Sequence, residues 1–386
     1  MKRFILLTVL FVSLLISVQA TKSEVTGIPV RSESAAKAPK IQVAILLDTS
    51  GSMQGLIEQA KSRLWHIVNT LTTLKYKGKT PHVEIALYEY GSYHRYNGDF
   101  IRQITPLTTD LDLISRELFA LTTGGSDEYC GTVISRAVKE LEWGRDEADM
   151  KLIYIAGNEV FEQGSISYKV AIPDAVEKNI YTNTIHCGDR STGIRDLWKK
   201  AADLGEGMFF NIDANRMVRY FETPYDDRID HLNQLLNDTY IGYGRMGAER
   251  KMLQAEQDQN AKSISVANYA ERAVSKSKAI YNNSSWDLID KVSQDKNALK
   301  EIKKEELPQE LQALSTSELQ AYVQDKSAKR DSLQSKIADL AVQRQEYIDK
   351  RLKKEGEPGD DLGHAITQSL IGFAQQKGYE IPAISK

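Results

Sequence analysis

Residues 41–47 (Ile-Gln-Val-Ala-Ile-Leu-Leu) are apolar almost without interruption and run directly into Asp48-Thr49-Ser50-Gly51-Ser52. A short unbroken apolar run closed by a polar turn marks a strand buried on both faces, as in a parallel sheet. Beyond the turn, Ile57, Ala60, Leu64, Ile67, Leu71 and Leu74 return every three or four residues, which predicts an amphipathic helix over 55–74. The alternation continues. Residues 83–90 and a shorter 100–104 read as strands, and 111–121 and 129–143 as helices, the second with Val133, Ala137, Val138 and Leu141 on its apolar face. Residues 152–156, 180–185 and 208–212 supply further strands, with a helix over 194–204 between the last two. Strands and helices alternating through short connections predict an α/β fold, a doubly wound and mostly parallel sheet covered on both faces. Ligands of such sheets lie beyond the carboxyl ends of the strands.

From residue 226 onward the strand-like runs stop and long polar helical patterns begin, so 226–386 is expected to be an all-helical domain after a sheet domain over 41–225. Helices are predicted over 230–236 and 249–281, broken by the Tyr240-Ile241-Gly242-Tyr243-Gly244 turn. Asn282-Asn283-Ser284-Ser285-Trp286 marks another break, with Ser284 or Ser285 available to cap a helix holding Leu288, Ile289 and Val292. Aromatics such as Tyr240 and Trp286 at helix ends are expected in the core. Over 317–354 charges alternate in sign while Leu319, Val323, Leu333, Ile337, Leu340 and Tyr347 fall near heptad spacing. Lys326, Arg330, Arg344 and Arg351 interrupt that seam, which points to an antiparallel helical pair of coiled-coil-like character rather than one long coiled coil. A last short helix is expected over 365–374.

The amino-terminal segment reads differently. Lys2 and Arg3 precede an apolar run over 4–18 that closes on Val18-Gln19-Ala20, the pattern of a secretory signal peptide over 1–20 cleaved after Ala20. The run is shorter than the roughly 20 residues of a membrane span. Residues 21–40 carry no apolar period and are expected to be a flexible lead-in. The mature protein is then expected to be exported, periplasmic or secreted, with no membrane span.

Composition narrows the function classes. Of 386 residues, 41% are hydrophobic and 27% charged, with a mean hydropathy of -0.42, which fits a folded polar-surfaced protein and not a multi-span membrane protein. The formal charge is -3, from 50 basic and 53 acidic residues, and loss of Lys2 and Arg3 takes it to -5. Without a basic excess there is no electrostatic footprint for nucleic acid.

The sharpest chemical signal is the turn after the first strand. Asp48, Ser50 and Ser52 alternate there, offering one carboxylate and two hydroxyls, hard oxygen ligands suited to Mg²⁺, Mn²⁺ or Ca²⁺. The alternative is a helix cap, with Asp48 or Ser50 accepting from free backbone N–H groups. The stretch Ile45-Leu46-Leu47-Asp48-Thr49-Ser50-Gly51-Ser52-Met53 resembles the Asp-x-Ser-x-Ser motif of von Willebrand factor type A (VWA) domains, the first element of their metal-ion-dependent adhesion site (MIDAS). The resemblance covers about residues 41–225 and implies a Rossmann-like sheet. With the helical tail, the chain resembles exported bacterial members of that superfamily.

The resemblance implies two further ligands, a Thr from a second loop and an Asp from a third. The second loop reads Thr122-Thr123-Gly124-Gly125-Ser126-Asp127-Glu128, where Ser126 best matches the Thr and Asp127 adds a carboxylate. The third follows the strand over 152–156 and reads Ala156-Gly157-Asn158-Glu159, so that Asn158, which is neutral, stands where the family has Asp. One fewer charge lowers cation affinity unless Asp127, Glu128 or Glu159 compensates. The implied function is a non-enzymatic, cation-dependent protein-binding module whose open coordination position takes a carboxylate of an unidentified partner protein.

Two other readings stand beside it. One is a metal-free scaffold binding through its helical half. The other is a hydrolase using Asp48, Asp127, Glu128 and a metal-bound water, against which stand the missing Gly-x-Ser-x-Gly, His-Glu-x-x-His and P-loop signatures. His186 beside Cys187 is too small a set for a four-ligand zinc site. In an exported protein Cys130 and Cys187 are candidates for a disulfide if both lie at one end of the sheet, and otherwise for two buried thiols.

Overall fold

The structure is a computed structural model and describes residues 38–92, 100–125, 127–355 and 361–381. Among them six strands form one sheet: β1 (Lys40–Asp48), β2 (His82–Tyr90), β3 (Ile101–Thr108), β4 (Met150–Gly157), β5 (Ile180–Cys187) and β6 (Phe209–Ile212). Their order is β3-β2-β1-β4-β5-β6, parallel throughout except for β3, which runs antiparallel to β2. β3 is an edge strand, longer than its apolar start predicts, and it accommodates Pro106 because an edge position needs no donor on its outer side.

Alternate residues of β1 serve two separate cores. Val43, Ile45 and Leu47 pack on one face with α1 (Gln54–Leu71) and α2 (Leu111–Phe119). Ala44 and Leu46 pack on the other with α3 (Cys130–Glu140), α4 (Tyr168–Glu177) and α6 (Trp198–Leu204). The helix expected over 194–204 is divided into α5 (Arg190–Arg195) and α6 by Leu197, whose φ of 76° cannot continue a helix. α4 was not expected. Pro173 lies inside it and reads as a breaker, yet Tyr168, Ala171, Ile172 and Ala175 bury one face at helical spacing, and Ser167 caps its first turn through Lys169 N–H.

The two cysteines belong to different cores. Cys130 starts α3 in the second core, and Cys187 ends β5 in the first, so the sheet lies between them. The expected disulfide is therefore absent: both are buried free thiols.

The helical region comprises α7 (Asp226–Asn237), α8 (Gly247–Ile264), α9 (Val266–Lys276), α10 (Leu288–Gln294), the short α11 (Ala298–Glu301) and α12 (Gln309–Gln312), α13 (Thr316–Glu355) and α14 (Leu362–Gln376). Ser265, in extended conformation, separates α8 from α9 and caps the latter through Asn268 N–H. Asp287 rather than Ser284 or Ser285 caps α10, accepting from Asp290 N–H at 2.9 Å. Tyr240 and Trp286 are buried against each other.

α13 corrects the expected helical pair: it is one uninterrupted helix of 40 residues with neither Gly nor Pro inside it. The seam is continuous because the basic residues belong to it. Arg330 is buried and donates to Asp287, Asp290 and the Thr239 carbonyl, its guanidinium 4.0 Å over the Tyr240 ring. Arg344 donates to Asp226 at 2.8 Å, and Lys326 reaches the Asp238 carbonyl. Each substitutes an ion pair or carbonyl contact for the apolar contact its position would otherwise make.

α14 returns to the sheet and completes the first core beside α1, burying Leu362, Ile366, Leu370 and Phe373. Ser369 links it to two strands, accepting from the Tyr154 hydroxyl at 3.0 Å and donating to Asn183 Oδ1 at 2.8 Å. Asp361 caps it through His364 N–H and is held by the Arg63 guanidinium from α1. No described helix is long and apolar enough to cross a membrane. The expected signal peptide over 1–20 and cleavage after Ala20 fall within residues 1–37, which lie outside the described residues.

Candidate functional site

The strand order reverses between β1 and β4, sending the chain after β1 to one face and the chain after β4 to the other. A crevice opens at the carboxyl ends where two such connections part. Asp48 is the last residue of β1, paired with Tyr90 of β2, and Asn158 follows the last residue of β4. The Asp-x-Ser-x-Ser turn and the third loop therefore meet because of the topology.

The contacts bear this out. Asp48 is fully buried, and its Oδ1 accepts from Ser50 N–H at 2.7 Å. The Ser50 and Ser52 hydroxyl oxygens lie 3.3 Å apart. Ser52, exposed at the rim, meets the Asn158 side-chain amide, with Nδ2 at 3.1 Å and Oδ1 at 3.5 Å from its hydroxyl. The second loop is clamped to the first by backbone bonds, from Gly124 N–H to the Thr49 carbonyl at 2.8 Å and from Gly51 N–H to the Gly125 carbonyl at 3.4 Å.

Glu128 closes the inner side. It is 2% exposed, and its carboxyl lies within hydrogen-bonding reach of both Asp48 and the Ser50 hydroxyl. The Glu159 backbone N–H points at its Oε2 from 3.4 Å. Two carboxyl groups thus face each other out of water, an arrangement that disfavours having both ionised. Burial is the main cause and the neighbouring Asp48 charge the next in pushing Glu128 up to about 9. Burial likewise pushes Asp48 up to about 6, against the lowering influence of the hydrogen bonds from Glu128 and Ser50.

Two glycines make the room. A Cβ on Gly91, whose φ is 81°, would stand 2.8 Å from Asp48 Oδ1 and 3.3 Å from the Glu128 side chain. A Cβ on Gly157 would stand 3.2 Å from Asp48 Oδ2. The oxygens of Asp48, Ser50, Ser52 and Glu128 are hard donors, and Asp48 Oδ2 is buried without an N–H or hydroxyl donor among the described residues. A buried carboxylate oxygen left so is costly unless something positive meets it. The residues present fit a hard divalent cation.

Of the sequence-derived site, Asp48, Ser50, Ser52 and Asn158 come together. Asp127 is half-buried in the second loop beside Glu128, and Ser126 lies outside the described residues. In the sequence Glu128 is one of three compensating acids and a residue of the hydrolase alternative; the signal that singles it out is its place immediately before the apolar face of α3, which predicts burial. Soft-metal chemistry finds no support. Among the described residues no group of three or more His, Cys, Asp or Glu side chains is placed to hold a metal, and His186 is buried with Nδ1 3.0 Å from Asn211 Oδ1. Any cation here must draw on the serine hydroxyls.

No protein-family model matches this sequence, and no curated protein matches it. Solved structures similar to it include BatB from Bacteroides thetaiotaomicron, 17% identical over 45% of this chain and 90% of that one, with a TM-score of 0.35. The VWA domain of SpRpn10 is 18% identical over 45% of this chain and 87% of that one, with a TM-score of 0.33. Proximal thread matrix protein 1 from the mussel byssus, solved with a zinc-occupied MIDAS motif, is 14% identical over 45% of this chain and 42% of that one, with a TM-score of 0.35.

Proposed function

We propose that the chain is an exported, non-enzymatic protein-binding module of the VWA kind, which holds a divalent cation at Asp48, Ser50 and Ser52 and uses it to engage a carboxylate of a partner protein. The observation that carries this reading is the fully buried Asp48, set at the crevice of a doubly wound sheet among hydroxyl and carboxyl oxygens, whose Oδ2 meets no N–H or hydroxyl donor and no basic side chain among the described residues. A helix cap alone does not account for it: α1 has no side-chain cap bond, and the one backbone N–H that Asp48 accepts engages Oδ1. Mg²⁺, Mn²⁺ and Ca²⁺ suit such donors. The resemblance assigns a further oxygen to Ser126 of the second loop, with Asp127 or Asn158 acting directly or through water. When bound, the ion supplies the positive charge that a partner's carboxylate would meet; the protein's part is to fix the oxygens and leave the Ser52 side open.

Calorimetric titration of the protein with Mg²⁺, Mn²⁺ and Ca²⁺, alongside Asp48→Ala, tests this. Saturable one-site binding abolished by the substitution is the expected result. Absence of binding for all three ions in the unmodified protein overturns it.

A further inference from the structure

We infer that Glu128 is a ligand-side carboxylate of the cation site and supplies the negative charge that Asn158 does not. This rests on the cation-site reading above and goes beyond it by assigning the second charge to one residue of the second loop.

Charge and geometry carry it together. A divalent ion placed away from water needs close to two negative charges around it, because the attraction of a single carboxylate does not offset the loss of its hydration. Asp48 provides one. Asn158 stands at the rim, touches Ser52 and is neutral. Glu159 is exposed and meets Glu128 through its backbone N–H. Glu128 alone of these acids is buried against the turn, touching two of its three side chains, Asp48 and Ser50. The independent sign that something is to be bound there is Asp48 Oδ2, buried and without an N–H or hydroxyl donor among the described residues. No lysine or arginine contact is found for either carboxyl among the described residues, whereas the buried acids Asp112, Asp258, Asp287 and Asp226 each face a guanidinium. Gly91, crowded by both carboxyls, keeps the place open for them.

The test is titration of the full chain with Mg²⁺ and Mn²⁺ in four forms: unmodified, Glu128→Gln, Asn158→Asp and the double variant, with Asp48→Ala as the blank. Melting of each form in chelator accompanies it. Glu128→Gln is expected to weaken the ion about tenfold or more while melting in chelator at or above the unmodified protein, since it removes one of two facing acids. Asn158→Asp in the Glu128→Gln background is expected to return most of the affinity, because it restores the count of carboxylates beside Ser52. Unchanged affinity in Glu128→Gln overturns the inference and leaves the cation site standing. Weakened affinity with a lowered melting point and no rescue also overturns it, because the loss then reflects damage to the fold. If the unmodified protein binds neither of these ions nor Ca²⁺, the cation-site reading fails and this inference with it.

Discussion

Two parts of this molecule bury carboxylates, and they treat them in opposite ways. Between α2, α8 and α9, Arg272 is fully buried, paired with Asp112 at 2.9 Å and with Asp258 at 2.5 Å, its guanidinium 4.6 Å over the Trp65 ring. Lys276 adds a second cation 3.0 Å from Asp258 and also bonds Asn237. Burial by itself would raise the Asp258 carboxyl, but Lys276 and Arg272 overcome it and hold the group below the usual carboxylate range. At the strand ends, Asp48 and Glu128 are as deeply buried, and among the described residues they meet each other, the Ser50 hydroxyl and N–H and the Glu159 N–H but no lysine or arginine, so both rise. In the first place the chain supplies its own counter-charge as it folds. In the second no lysine or arginine does so among the described residues, and the difference separates a self-neutralised charge cluster from a pair of acids that an external cation would stabilise.

The contrast breaks most visibly at Arg272. Replacing it by Leu leaves Asp112 and Asp258 buried with one guanidinium fewer, and unfolding in urea is expected to show a loss of about 3–5 kcal/mol. A comparable cost on removing a carboxyl at the strand ends, in chelator, would erase the distinction. Adding the ion sharpens it from the other side. At a hundredfold excess over its Kd, Mg²⁺ is expected to stabilise the unmodified protein by about 2.7 kcal/mol and Asp48→Ala not at all, read from melting with and without chelator.

A smaller effect is expected where a buried pair also caps a helix. Arg63→Met leaves Asp361 without its guanidinium at the start of α14. A loss of about 2 kcal/mol and faster amide exchange in α14 than in β1 are the expected results. Lys278 gives the smallest. Burial pulls its ammonium down to about 8, with Thr72 Oγ1 2.8 Å away. An unfolded lysine titrates near 10.4, so between about 8 and 10.4 the unfolded chain holds a proton that the native one has shed. Stability is expected to rise with pH across that window, and Lys278→Met to flatten the rise in urea midpoints taken from pH 8 to 10.

Much of this was legible in the chain because it obeys periodicity. The near-continuous apolar run of β1 and the three-to-four spacing of α1 place Asp48 at a strand end before any coordinates. What was hidden depends on faces and partners. The side of the sheet that α3 covers decides whether Cys130 can meet Cys187, and spacing does not carry that information. Arg330 and Arg344 look like interruptions of the α13 seam until Asp287 and Asp226, far away in the chain, are seen to complete them. α4 was masked by Pro173, whose local meaning the burial of Tyr168, Ile172 and their neighbours overrides. Glu128 was one of three possibilities on two loops, and only the packing of the second loop separates it from Asp127 and Glu159.

The helix that finishes the first core, α14, is also the last helix in chain order. Chains are made from the amino end, so all six strands and the Asp48 turn exist before Leu362, Ile366, Leu370 and Phe373 do. Until then one face of the sheet is bare hydrocarbon beside α1, and its closure waits on contacts of very long sequence separation, which form slowly. The Asp48 turn and α14 are therefore tied in time as well as in space. A chain stopped between β6 and α14 has all six described strands and the Asp48 turn, yet no closed core to hold them still.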